Sequence, residues 1–119
     1  MIGYVASDLV WASRIKAEAD AKGLSSRRVT SVDRLREVLL TDAEALILID
    51  LESEDADVII DALRGAGAIE GAASARTVAW GPHVITERLQ EAKDRGIDLV
   101  LPRGAFATRL PTLLGESAG

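Results

Sequence analysis

The chain has 119 residues, of which 48% are hydrophobic and 28% charged, and its formal net charge is −5. This length supports one shared interior, so a single domain over residues 1–119 is expected; the apolar share excludes disorder, and the apolar runs are too short for a membrane span. With no cysteine and one histidine, thiolate chemistry, disulfides and His-based metal clusters are excluded, and the acidic balance makes nucleic acid an improbable partner. No basic segment precedes a signal-length apolar stretch at the N-terminus, so a cytoplasmic protein is expected.

Met1–Ala6 reads as a strand buried on both faces. Ser7 and Asp8 offer an N-cap for a helix over Leu9–Lys22, in which Leu9, Ala12, Ile15 and Ala19 form a stripe and Gly23 supplies the stop. Trp11 falls off that stripe, which predicts partial exposure. Arg27–Thr30 reads as a strand whose basic residues suit a sheet edge. Ser31 can cap a second helix, Val32–Leu40. Ala45–Asp50 is the clearest strand, apolar until a carboxylate ends it.

A third helix, Ala56–Arg64, is followed by the small, loosely patterned stretch Gly65–Ser74 and a fourth strand, Ala75–Trp80. Trp80 is expected to pack in the core or at its rim, and His83 to lie on a surface loop. Ile85, Leu89 and Ala92 mark a fourth helix that stops before Gly96. Leu99–Leu101 is a fifth strand, and Phe106–Leu114 a last helix that Pro111 must bend or shorten.

Five strand–helix units predict a three-layer α/β fold: a five-stranded parallel sheet, right-handed crossovers, and helices on both faces. In such a sheet, functional groups gather outside the C-terminal ends of the strands. The residues at those points are Ala6 and Ser7, Asp50, Gly81 and Arg103, with steps of 43, 31 and 22 residues from Ser7 onward.

Over essentially the whole chain, this order and spacing resembles the receiver domain of two-component response regulators. The resemblance implies a flavodoxin-like sheet of order 2-1-3-4-5. It also implies a site made of an acidic pair after the first strand, a phospho-accepting Asp after the third, a Ser or Thr after the fourth and a Lys after the fifth. Asp50 is the position matching the phospho-acceptor. The other residue types depart from the pattern. Ala6 and Ser7 stand for the acidic pair, Gly81 for the hydroxyl and Arg103 for the lysine, with the proline before the cation rather than after it. Val100 occupies the place of a switch aromatic.

Aspartyl phosphorylation brings anions together, and Mg²⁺ held by acidic side chains offsets the repulsion. Without that acidic pair, Mg²⁺ binding is expected to be weak or absent, and no cofactor is implied. Asp8, one residue late, is read as a helix cap. Asp50 is expected to bond the local backbone or to pair with Arg103, and Glu52 to be a solvated loop carboxylate.

The function expected is therefore a non-catalytic, phosphorylation-independent receiver-like signalling or interaction module acting through a protein partner, with a homodimer possible. The resemblance places its interaction surface on the fourth helix, fifth strand and fifth helix, through Ile85, Leu89, Val100, Phe106 and Leu110. Two alternatives stand beside it: an active single-domain response regulator phosphorylated on Asp50, and a flavodoxin-like domain binding a small ligand at the strand ends.

Overall fold

The computed structural model describes residues 1–118. Along the chain the elements are β1 (Ile2–Val5), α1 (Leu9–Ala21), β2 (Ser26–Arg28), α2 (Val32–Thr41), β3 (Leu46–Asp50), α3 (Ala56–Arg64), β4 (Arg76–Gly81), α4 (Thr86–Asp94), β5 (Leu99–Pro102) and α5 (Arg103–Ala118). All strand pairs are parallel, in the order β2-β1-β3-β4-β5. The expected fold class and sheet order are what the structure contains. No helix among the described residues is long and apolar enough to cross a membrane.

Strand periodicity divides the core into two. In β3, Ile47 and Ile49 face α2 and α3, while Leu46 and Leu48 face α1 and α5. Every residue of β1 and β3 is buried, which explains why these strands read as unbroken apolar runs. β2 lies at an edge, and its Arg27 is tied to Glu37 of α2 at 2.9 Å.

The helix caps are the residues that the sequence offers. The Asp8 carboxylate accepts the Val10 N–H at 2.8 Å, and the Ser31 hydroxyl accepts the Arg34 N–H at 3.2 Å. Gly23 follows α1 at φ +70° and Gly96 follows α4 at φ +100°, a region that side chains disfavour. The stretch before β4, read as unpatterned, contains a 3-10 turn at Ala72–Ser74. Arg64 binds this turn to the sheet, donating to the carbonyls of Ala72 and Ala75 and to Asp98, which in turn accepts the N–H and hydroxyl of Thr77.

The last helix departs from expectation. It starts three residues before Phe106 and continues past Leu114 to Ala118, so Pro111 does not shorten it. Proline at 111 lacks the N–H that would bond the Ala107 carbonyl one turn back. That carbonyl instead accepts a hydrogen bond from the Arg14 guanidinium of α1, at 3.1 Å. A neighbouring helix thus supplies the donor that Pro111 removes.

Candidate functional site

Parallel strands bring the turns after β1, β3, β4 and β5 to one end of the sheet. Asp50 lies there, and the residue is only 4% exposed. Its Oδ1 accepts the Glu52 N–H at 2.9 Å, closing the turn that leads to α3. Burial pushes this carboxyl above its ordinary value. The charges of Glu52 and Asp8 act in the same direction, against the Glu52 amide and the charge of Arg103.

Arg103 is the first residue of α5, where its charge meets the positive end of the helix dipole. The Glu52 carboxylate offsets this, accepting from the Arg103 guanidinium at 2.5 Å. Of the two readings for Asp50, the bond to the local backbone is present and the pair with Arg103 is not; Arg103 pairs instead with Glu52, which is therefore not the merely solvated loop carboxylate expected. Asp50 is too deep in its turn, while Glu52, two residues on, is half exposed and reaches across to α5. The sequence carries only a faint signal for this: a second carboxylate two positions past the strand end.

The remaining strand-end positions add little polar chemistry. Ala6 is buried in the α1/α5 half of the core, and Ser7 is exposed. Asp8 is engaged in capping α1. Gly81 is buried beneath α4: a Cβ there would sit 3.5 Å from the tips of both Ile85 and Leu89, and 3.6 Å from Leu51. Ala would fit, but the extra branches of Thr would press on Ile85 and Leu89. The other carboxylates whose charge reaches Asp50 are both engaged, Asp8 with the Val10 N–H and Glu52 with Arg103. Among the described residues, no three or more His, Asp or Glu side chains stand close enough to share a metal ion.

The residues expected on the interaction surface separate into two groups. Ile85, Leu89 and Val100 are half-buried and keep a face toward solvent. Phe106 and Leu110 are fully buried, because the inward stripe of α5 begins at Phe106 and recurs at Leu110, Leu113 and Leu114. Phe106 stacks on Trp80 with ring centroids 4.1 Å apart, and Trp11 tilts against both at 5.4 Å. Trp11 is therefore only partly exposed, and Trp80 lies in the core.

Neither a protein-family model nor a curated protein matches the chain. Solved structures do. The receiver domain of NtrX from Brucella abortus superposes with a TM-score of 0.69 at 19% identity, covering 99% of this chain and 97% of that one. NtrX from the same organism in complex with ADP gives a TM-score of 0.71 at 19% identity over 98% of this chain, which spans only 25% of that longer one. The beryllofluoride-activated NtrC4 receiver domain dimer gives 0.65 at 15% identity, with 99% and 98% of the two chains covered. The fold is that of a receiver domain.

Proposed function

We propose that this chain is a receiver-like signalling module that works through protein contacts and without phosphorylation of Asp50. The observation that supports this reading is the pairing at the strand ends. The arginine at the receiver-lysine position bonds Glu52, and Asp50 is buried in its own turn with Ala6 and Ser7 at the positions of the receiver acidic pair. An incoming phosphoryl group needs an ionised nucleophile and cations to spread its charge. Here Arg103 already has a carboxylate, and Ala6 and Ser7 supply no anionic ligand for Mg²⁺.

The half-exposed Ile85, Leu89 and Val100 provide the apolar part of the contact surface in this reading, whereas Phe106 and Leu110 belong to the core on the other face of the sheet. The NtrC4 receiver domain is described as a dimer, so a second copy of this chain is one partner to test. The decisive experiment is incubation with acetyl phosphate and Mg²⁺ followed by intact-mass measurement. The expected result is unchanged mass. An adduct of about 80 Da that disappears in Asp50→Asn would establish an active, phosphorylated regulator instead.

A further inference from the structure

The glycine-rich stretch Gly65–Ser74 has no part in the function proposed above, yet it is firmly held. The Ile69 N–H bonds the Ala62 carbonyl of α3 at 2.8 Å, Ala72 is buried, and Arg64 donates to the carbonyls of Ala72 and Ala75. Among these anchors Gly71 turns left-handed at φ +86°, and a Cβ there would meet nothing within 4 Å. A fixed loop thus presents bare backbone to open space.

The end of α2 lies beside it. Leu39 is buried, whereas Leu40 is 83% exposed, more than any other large apolar residue among those described. Between the helix and the loop is a groove of about 320 Å³, lined by Arg36, Leu39, Leu40, Glu70 and Gly71. Because α2 leads into β3 and the loop into β4, and these strands are parallel, the groove lies at the end of the sheet opposite Asp50.

An apolar knob next to a hollow is what a two-fold interface needs, since one patch must both insert and receive. The charges have the same self-complementary layout. Arg36 stands one turn before Leu40 on α2, and Glu70 lines the groove from the loop. Rotation about a two-fold axis brings the arginine of each copy to the glutamate of the other. Arg36 now bonds Asp33 at 2.9 Å, but both side chains are exposed, and such a pair contributes little and exchanges readily. The net charge of −5 makes copies repel, so a patch with balanced charge is where they approach at least cost.

We infer that this groove is a self-association site, on which a second copy of the chain docks with Leu40 of each filling the groove of the other and Arg36 of each pairing with Glu70 of the other. The site goes beyond the function proposed above, is separate from the surface of Ile85, Leu89 and Val100, and stands or falls independently of it. Five lining residues are few against the roughly 20–30 per side of a standard interface, so the dimer is weak and depends on concentration.

The test is sedimentation velocity on the full chain at low salt, from about 10 μM to about 500 μM. The parent is expected to shift from monomer toward dimer across this range. Leu40→Asp, at an exposed position that the fold does not need, should raise the dissociation constant about tenfold or more. Arg36→Glu and Glu70→Arg should each weaken association, and the two together should restore it. A parent that stays monomeric would overturn the proposal, as would undiminished association in Leu40→Asp or a double variant no stronger than the single ones. Dissociation by Leu89→Asp but not by Leu40→Asp would assign the dimer to the α4 surface and sink this site while sparing the function proposed above.

Discussion

Asp50 owes its properties to its position at the end of a strand buried on both faces. A carboxyl whose pKa is raised by folding holds its proton at pH values where the unfolded chain has already lost it. Between the ordinary value of 3.8 and the raised one, the folded state binds more protons, so this group's contribution to stability falls as pH rises through that window. At neutral pH the contribution is unfavourable. Asp57 and Asp98 work in the opposite sense. At each, burial acts to raise the pKa but is outweighed, by Arg88 and Arg95 at Asp57 and by Thr77 and Arg64 at Asp98. Their stabilising effect is present above the ordinary carboxylate range and is lost as pH falls below it. Asp50→Asn keeps an oxygen to accept the Glu52 N–H and removes the charge. Urea unfolding at pH 7 should show the variant at least as stable as the parent, by up to about 1 kcal/mol, with the difference shrinking toward pH 4.

At the level of elements, the pairing of α1 with α5 shows how a helix tolerates an internal proline. Pro111 leaves the Ala107 carbonyl without its helical donor, and Arg14 supplies one from the adjoining helix. The same guanidinium lies 5.6 Å from the centroid of the Trp11 ring, so it links the two helices and rests on the aromatic cluster. Arg14→Met should therefore destabilise the fold by about 1 kcal/mol. Pro111→Ala restores the N–H at that position, and in that background the same substitution should cost measurably less. Thermal unfolding of the two single variants and the double variant reads the coupling directly; additive effects would contradict the pairing.

For the molecule as a whole, the aromatic cluster joins three distant parts of the chain. Trp11 lies in the first turn of α1, Trp80 is the last residue but one of β4 and Phe106 begins the buried face of α5, and the three rings lie against one another on one side of the sheet. Removing Phe106 would leave a cavity beside Trp80 and withdraw a ring stacked on it. Phe106→Ala should cost about 3–5 kcal/mol, a large part of the 5–15 kcal/mol that a domain of this kind commands. Tryptophan emission should change with it, since both indoles contact that ring. A change of this size belongs to the core, whereas Leu89→Ala, at a half-buried surface position, should be milder.

How far the sequence is legible follows from the range of the forces involved. The fold class, the helix caps at Asp8 and Ser31, the endings at Gly23 and Gly96, and the strand-end placement of Asp50 are local: they depend on periodicity, on capping oxygens and on backbone freedom, all within a few residues. The partner of Arg103 was not legible, because Glu52 lies 51 residues away and only the crossing of loops at the strand ends selects it over Asp50. The same holds for the full length of α5, whose Pro111 leaves a carbonyl that takes its donor from α1, and for the inward turn of Phe106 and Leu110, which needed the opposing sheet. Residue order determined where strands and helices form and which side chains reach the strand ends. Tertiary packing decided which of those charges meet, because ion pairs and hydrogen bonds depend on separations in space that sequence distance does not set.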